Sequence, residues 1–138
     1  MLVTVVTPSF NKAAFIEKTI KSVLNQDYPH IEYIVIDGDS TDGTQNILRK
    51  YDGKLQWYRE SDTGQSQAIN RGFLRAKGDI IAWLNADDCY VETAISQVVD
   101  YFVRNPGWTF LYGDALAINQ SGWVFGNRTN VKQTDYAN

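Results

Sequence analysis

The order in which strand-like and helix-like segments follow one another constrains the fold of this chain more than any other feature. Runs of β-branched and other apolar residues at positions 2–7, 33–36 and 80–84 predict strands that are buried on both faces. Segments with apolar residues at helical spacing lie between these runs. This alternation predicts an α/β fold, in which a mainly parallel sheet is flanked by helices.

Weaker signals complete this outline. The spacing predicts helices over 65–77 and 92–104, and an earlier helix whose N-cap is Asn11. Two further strands are predicted at 55–58 and 109–112, followed by a polar tail with one hairpin around 120–122. We expect one domain over residues 1–138, because a chain of this length supports a single hydrophobic core.

Polar residues directly follow each predicted strand. Ligands of open α/β sheets bind outside the carboxyl ends of the strands, so these residues form the candidate site. In strand order, they are Pro8, Ser9 and Asn11; Asp37, Asp39 and Ser40; Glu60, Ser61 and Asp62; Asn85, Asp87 and Asp88; and Asp114. The acids among them predict one strongly negative edge of the sheet.

The adjacent acids Asp87 and Asp88 carry the most specific chemistry. Because they follow an apolar strand, we expect burial and mutual repulsion to raise the pKa of one of them unless a cation compensates. Mg²⁺ and Mn²⁺ bind one or two carboxylates and complete their shell with water and substrate phosphates. The pair therefore predicts a site for Mn²⁺ or Mg²⁺, which can neutralise a departing diphosphate. A turn that caps the next helix is the alternative explanation of the same two residues.

Composition excludes several other functions. The net charge of −3, from 13 basic and 16 acidic residues, makes the chain a poor ligand for nucleic acid or for a membrane surface. The longest apolar stretch, at 80–84, is too short to cross a bilayer, so no membrane segment is predicted. The single cysteine, Cys89, cannot form an internal disulfide. We therefore expect a cytoplasmic protein, either free or peripheral to the inner face of the membrane.

Four stretches of the chain resemble the signature segments of the family 2 glycosyltransferases, which have the Rossmann-like GT-A fold. Residues 5–11, VVTPSFN, resemble the family's Thr-Pro-x-Tyr/Phe-Asn turn. Residues 35–44, VIDGDSTDGT, resemble its Val-Asp-Asp-Gly-Ser-x-Asp-Gly-Thr segment. Residues 78–88, GDIIAWLNADD, resemble its Gly-Asp-apolar-Leu-Asp-x-Asp-Asp segment, and residues 61–72 match the helix that precedes it. The order and spacing of these stretches make the resemblance specific over residues 1–115.

The resemblance implies an enzyme that transfers a sugar from a nucleoside-diphosphate sugar, UDP-linked, to a glycan or lipid-linked acceptor. Transfer would invert the anomeric carbon and use Mn²⁺ or Mg²⁺. Asp37 would hydrogen-bond the uracil or the ribose, Asp87 would face the sugar or share the metal, and Asp88 would ligate the metal. The implied donor-binding residues, with Pro8 and its neighbours around the base, are Pro8, Ser9, Asn11, Asp37, Asp39, Asn70, Arg71, Asn85 and Asp87.

Four residues depart from the family pattern. The usual Asp-Asp-Gly-Ser is replaced by Asp-Gly-Asp-Ser, so that Asp39 stands at the glycine position. Asp tolerates a positive φ there better than most residues do. Asn85 replaces the common first Asp of the last segment, and Gln67 stands where many relatives have Asp. These changes leave the identity of the donor sugar more open than nucleotide binding.

The general base is the largest departure. In the family it is a carboxylate far downstream, on the acceptor side, and we expect this chain to stop before it. Asp114 is the only late acid that follows a predicted strand, and it is the remaining candidate base although it does not match the family motif. A noncatalytic nucleotide-sugar-binding module is therefore the alternative function. A nucleotidyltransferase is disfavoured, because residues 8–12 lack a glycine-rich phosphate loop.

Overall fold

The computed structural model describes residues 1–119 and 121–128. The chain forms two compact units, Met1–Arg104 and Asn105–Asn138. The single domain expected over 1–138 stays a prediction, because two compact units can belong to one domain.

The first unit is an α/β layer structure, as the alternation of segments predicts. Its strands lie in the order β3-β2-β1-β4, and every neighbouring pair is parallel. In chain order the elements are β1 (Val3–Ser9), α1 (Ile16–Leu24), β2 (Ile31–Asp37), α2 (Thr44–Arg49), β3 (Gln56–Arg59), α3 (Gln65–Phe73), β4 (Ile80–Trp83) and α4 (Ala94–Arg104).

Strand β1 lies at the centre of this sheet. It pairs with β2 from Val3 to Ser9 and with β4 from Val3 to Val6. Its seven residues are all buried, which explains why it is encoded by a continuous apolar and β-branched run. The outer strands β3 and β4 contain only partly buried and exposed residues, because each pairs with a neighbour on one side only.

The core occupies both faces of the sheet. On one face, Val5 and Val35 pack with side chains of α1, α2 and α4, including Ile20, Leu48 and Val99. The opposite face carries a smaller cluster. Its members are Val6, Ile34 and Ile36 of the sheet, Ala68 of α3, and the partly buried Tyr58 and Phe73.

Strand β1 runs further than predicted and includes Pro8, which lacks a backbone donor. The carbonyl of Val6 accepts from Leu84 N, so alternate residues of β1 direct their backbone polar groups towards β4. Pro8 has the same orientation, but β4 ends at Trp83, opposite Val6. The missing N–H of Pro8 therefore faces a position that has no strand to accept a hydrogen bond.

Two local predictions are wrong. Helix α1 begins at Ile16 without a side-chain cap, so Asn11 is not its N-cap. The Asn11 side chain instead accepts a hydrogen bond from Thr41 N, which lies in a different loop. Residues 109–112 form no strand, because the regular pairing in that region begins only at residue 115.

The second unit contains the hairpin predicted in the tail. Strand β5 (Ala115–Ile118) pairs antiparallel with β6 (Val124–Arg128), with a register shift between Ala117 and Ile118. Gln120, at the start of the predicted turn, lies outside the described residues. In the described part of the chain, no helix is both long and apolar enough to cross a membrane.

Gly72 tests the contact between α3 and the sheet. A Cβ at this position would lie 2.2 Å from Val6 Cγ1, so Gly72→Ala forces the helix away from β1. We expect this overpacking to outweigh the helix propensity of Ala and to lower the free energy of unfolding by about 1–3 kcal/mol. Gly113→Ala is the control, because its Cβ meets no atom within 4 Å. Urea denaturation measures both, and an unchanged or more stable Gly72→Ala variant would contradict this packing.

Candidate functional site

The carboxyl ends of the four parallel strands bring the predicted polar residues to one edge. Strands β1, β2, β3 and β4 end at Ser9, Asp37, Arg59 and Trp83. The chain adds β2 and β3 on one side of β1 and then returns to add β4 on the other side. The topological switch point therefore lies between β1 and β4, where open α/β sheets form their ligand crevice.

Asp37 organises the loop that follows β2. It is completely buried, and its carboxylate accepts hydrogen bonds from the backbone N–H and hydroxyl of Ser40 and from Gln45 Nε2. A buried carboxylate needs such donors, because an unpaired charge is costly away from water. The first role of Asp37 is therefore to hold the loop, and its contact with a nucleoside stays a prediction.

The loops after β1 and β2 are tied to each other by short polar contacts. Asn11 has a φ of 51°, its N–H donates to Ser40 Oγ at 2.8 Å, and its side-chain oxygen accepts from Thr41 N at 2.9 Å. Asp42 accepts from Ala13 N at 2.8 Å. Desolvation opposes ionisation of Asp42, yet hydrogen bonds from Thr44 and Ala13 outweigh it and hold its pKa below the ordinary value.

Asp39 occupies a left-handed backbone conformation, with a φ of 68°. This conformation explains why the corresponding position favours glycine and why Asp is a tolerated replacement. Its carboxylate forms an ion pair with Arg59, which lies at the end of β3. Both side chains are exposed, so the pair contributes little to stability but places a cation beside the loop after β2.

Gly38, the neighbour of Asp39, has an acid from another loop against it. A Cβ on Gly38 would lie 2.7 Å from Asp62 Oδ2 and 3.5 Å from Phe10 Cδ2. Phe10 is 58% exposed. The absence of a side chain at Gly38 therefore allows the loops after β1, β2 and β3 to approach one another.

Asn70 and Arg71 of α3, which are predicted to bind the sugar donor, lie in different surroundings. Arg71 donates to the carbonyl of Ser61 at 2.7 Å and forms an ion pair with Glu60 Oε2 at 3.5 Å. Arg75 forms a second ion pair with Glu60 and lies over the ring of Tyr58. Arg71 thus holds the loop after β3, whereas the side chain of Asn70 is exposed. Donor binding by either residue stays a prediction.

The loop after β4 presents both acids of the predicted metal site to solvent. Asp87 and Asp88 are both exposed. The prediction that these two acids are buried is therefore wrong. The apolar strand ends at Trp83, and Leu84 and Ala86 take the buried positions that follow it.

Polar side chains orient each of these two acids. Lys12 Nζ donates to Asp87 Oδ2 at 2.6 Å, and Asn85 Nδ2 donates to Asp88 Oδ2 at 3.0 Å. Gln65 Nε2 in turn donates to Asn85 Oδ1 at 2.5 Å, which connects the start of α3 to this loop. Asn85 therefore positions an acid, a role that its amide can fill although it is a poor metal ligand.

A divalent cation fits these residues in the way that Mn²⁺ and Mg²⁺ usually bind. Within residues 1–119 and 121–128, no three His, Cys, Asp or Glu side chains are grouped to hold a metal by themselves. The exposed carboxylate of Asp88, with Asp87 next to it, can supply one or two ligands. Phosphate oxygens and water would then complete the shell, as is common for these cations.

Asp114 does not follow a strand. It lies in the second unit and immediately precedes β5. The reason that sequence analysis gave for its candidacy is therefore wrong, since the strand predicted at 109–112 is absent.

Three residues that contact this edge were not among the sequence candidates: Phe10, Lys12 and Gln65. The available signal was position, because Phe10 and Lys12 flank Asn11 in the loop after β1. Their partners are up to 75 residues away, so only the fold shows the contacts.

The fold and this edge define a Rossmann-like α/β domain with its ligand crevice at a switch point. The model of the family described as glycosyl transferase family 2 matches residues 4–130. The chain belongs to this family, and its architecture is the GT-A fold.

Three comparisons illustrate the relationship. The putative teichuronic acid biosynthesis glycosyltransferase TuaG of Bacillus subtilis is 38% identical over 107 residues, which are 75% of this chain and 42% of TuaG. The mannosyltransferase PcManGT from Pyrobaculum calidifontis was solved in complex with GDP-Man and Mn²⁺. It superposes with a TM-score of 0.69 and 29% sequence identity, and the match covers 75% of this chain and 32% of the PcManGT chain.

The third is the glucosyl-3-phosphoglycerate synthase of Mycobacterium tuberculosis, solved with Mn²⁺, UDP and glucosyl-3-phosphoglycerate. It superposes with a TM-score of 0.52 and 26% identity over 62% of this chain and 33% of its own. The chain therefore spans less than half the length of each of these proteins.

Asp37 and Asp39 lie in the same loop, so substituting each one compares the stability that a buried hydrogen-bonded acid contributes with that of an exposed ion-paired acid. Asp37→Ala leaves the donors of Ser40 and Gln45 without their buried acceptor. We expect the free energy of unfolding to fall by about 2–3 kcal/mol without any ligand. Asp39→Asn, which removes only an exposed ion pair, should cost less than about 1 kcal/mol. Urea denaturation followed by circular dichroism compares them, and equal losses would refute the structural role of Asp37.

Proposed function

We propose that this chain is the donor-binding part of a glycosyltransferase that uses a nucleoside-diphosphate sugar, UDP-linked, and a glycan or lipid-linked acceptor. The observation that carries the proposal is the group of Lys12, Asp87 and Asp88 at the switch point between β1 and β4. One cation and two acids at the crevice suit a ligand that carries both phosphate and a bound metal. Membership of the family supports the same reaction class.

The nucleoside would bind beside the loops after β1 and β2. Phe10 offers an exposed aromatic face, against which a base can stack. Pro8 and Ser9, which are both buried, would lie beneath the base. Asp37 would also accept a hydrogen bond from the uracil or the ribose. Because its carboxylate is completely buried and already accepts three hydrogen bonds, the loop at Ser40 would have to shift for this contact to form.

Asp39 would lie at the ribose side of this pocket, because it follows Gly38 and its side chain is partly open to solvent. Asn11 supports the pocket through its hydrogen bonds to the loop after β2. Asn70 and Arg71 would act from α3, with Arg71 holding the loop that carries Asp62. The base is proposed as uracil, a choice supported by the UDP complex of the mycobacterial synthase, whereas PcManGT was solved with GDP-Man.

The diphosphate would bind at the loop after β4. Asp88 would hold Mn²⁺ or Mg²⁺, Asn85 would orient Asp88, and Asp87 would face the sugar or share the metal. The Mn²⁺ in the two solved relatives supports this assignment. When bound, the metal would neutralise charge on the leaving diphosphate.

Transfer with inversion would be a single displacement at the anomeric carbon. The bond from the acceptor oxygen to this carbon forms as the bond to the diphosphate oxygen breaks, and a base takes the proton of the acceptor hydroxyl. The name of TuaG supports a role in polysaccharide biosynthesis. We place this reaction in the cytoplasm, at the inner face of the membrane when the acceptor is lipid-linked.

One observation favours the alternative, a module that binds the donor without transferring the sugar. In the described part of the chain, each acid at this edge already has a partner. The pairs are Asp37 with Ser40, Asp39 with Arg59, Glu60 with Arg75, Asp62 with Gly64 N, Asp87 with Lys12 and Asp88 with Asn85. In the ligand-free chain each of these carboxylates is therefore engaged with a donor or a cation, which favours binding over proton transfer. Robust sugar transfer to a defined acceptor would reject this alternative.

Thermal unfolding with UDP, GDP or dTDP, each with Mn²⁺ or with EDTA, tests the proposal. A nucleotide at about a hundred times its Kd should add about 2.7 kcal/mol to the stability of the folded state. We expect UDP with Mn²⁺ to give the largest increase in Tm. A larger increase with GDP would correct the base, and no increase with any nucleotide at millimolar concentration would overturn the proposed donor site.

Asp88→Asn separates the metal from the nucleoside. We expect the Kd of UDP in Mn²⁺ to rise at least about tenfold, because a charged ligand of the metal is lost. The Kd of UDP in EDTA should stay within about twofold. Asp100→Asn on α4, an exposed acid that pairs with Arg104, is the matched control. Isothermal titration calorimetry measures all four values, and unchanged UDP binding in Mn²⁺ would remove Asp88 from the metal site.

A further inference from the structure

The backbone of Lys12 is held on both sides while its ammonium group stays accessible. Its N–H donates to Thr44 Oγ1 at 3.1 Å, and its carbonyl accepts from Phe15 N and Ile16 N, both at 2.9 Å. Thr44 is fully buried, so the hydroxyl that accepts the hydrogen bond from Lys12 N–H is held in place. The Lys12 side chain is 36% exposed. A fixed backbone that carries an exposed, flexible chain allows the ammonium group to change partners without a change in the loop.

The partner of this ammonium group is an acid of the proposed metal site. The Lys12–Asp87 ion pair is 2.6 Å long and joins the two sides of the switch point. The side chain of Asp87 is 43% exposed, and pairs with this exposure are weak. In the described residues, Lys12 is the cation that contacts the adjacent acids Asp87 and Asp88.

We propose that Lys12 is a diphosphate-binding residue that neutralises Asp87 when the donor is absent and binds the diphosphate when the donor enters. The inference rests on the proposed function of this edge. Without a donor, two adjacent carboxylates repel each other, and the ammonium group relieves that repulsion. A diphosphate offers Lys12 a stronger acceptor, because hydrogen bonds between charged groups are the strong ones. Asp87 is then released to the sugar or the metal.

This exchange gives Lys12 opposite effects on the two components of the ligand. A metal ion alone competes with the ammonium group for Asp87, so Lys12 weakens binding of Mn²⁺ in the absence of nucleotide. UDP alone gains an ion pair from Lys12, so the same residue strengthens binding of metal-free UDP. A residue that only maintains the shape of the loop would strengthen both, and the opposite signs distinguish the two roles.

The test compares Lys12→Met with Lys12→Arg and with the control Lys54→Met, which removes an exposed lysine between α2 and β3, at the opposite edge of the sheet. Free Mn²⁺ is followed by electron paramagnetic resonance without nucleotide, and UDP binding in EDTA is followed by calorimetry. For Lys12→Met we expect the Kd of Mn²⁺ to fall about threefold and the Kd of UDP to rise about tenfold. Lys12→Arg should keep the Kd of UDP within about threefold, and Lys54→Met should change neither value.

Two outcomes would overturn the role of Lys12 and leave the proposed function of this edge intact. If wild-type protein binds UDP with Mn²⁺ but Lys12→Met weakens both Mn²⁺ and UDP, the residue is structural. If Lys12→Met changes neither, the ion pair is incidental. Failure of the wild-type protein to bind UDP with or without Mn²⁺ overturns the proposed function first and this inference with it. Urea denaturation of each variant confirms that the comparison is made between folded proteins.

Discussion

The parallel pairing of β1 with both β2 and β4 is the constraint on which the rest of this structure depends. Because β1 is bonded on both edges for its first four residues, it fixes where the loops after three strands emerge. Beyond Val6 the β4 side is open, and this gap creates the crevice between the loops at 10–15 and 84–88. Strand β1 continues to Ser9, whereas β4 stops at Trp83, which pairs with Val6. The position of the candidate site therefore follows from this difference in strand length.

Much of this architecture could be predicted from the sequence. The buried strands, the parallel sheet and the collection of polar residues at one edge follow from hydrophobic runs and from the rules of α/β topology. Element ends were predicted less well, because they depend on tertiary contacts. Pro8 reads locally as the end of a strand, but it is tolerated where no partner needs its N–H. The run at 109–112 is apolar, yet it forms no strand, since an apolar run becomes a strand only where another strand pairs with it.

The site was predicted as a set of residues but not as a set of contacts. Asp87 and Asp88 were identified, whereas their expected burial was wrong because Leu84 and Ala86 occupy the interior positions. Lys12 was missed, since nothing in its local sequence shows that its ammonium group donates a hydrogen bond to a residue 75 positions later. Asn11 was assigned to a helix cap that local rules favour, and a longer-range contact with Thr41 took precedence.

The close approach at Gly38 has a consequence for sequence variation. The family pattern places an acid at this position and glycine at the next, whereas here glycine comes first and Asp39 follows it. The space of the missing side chain is filled by Asp62, which arrives from the loop after β3. A carboxylate thus reaches nearly the same place from a different segment. A side chain at position 38 would have to displace the Asp62 carboxylate, so the residue at position 38 determines where the acid at position 62 can lie.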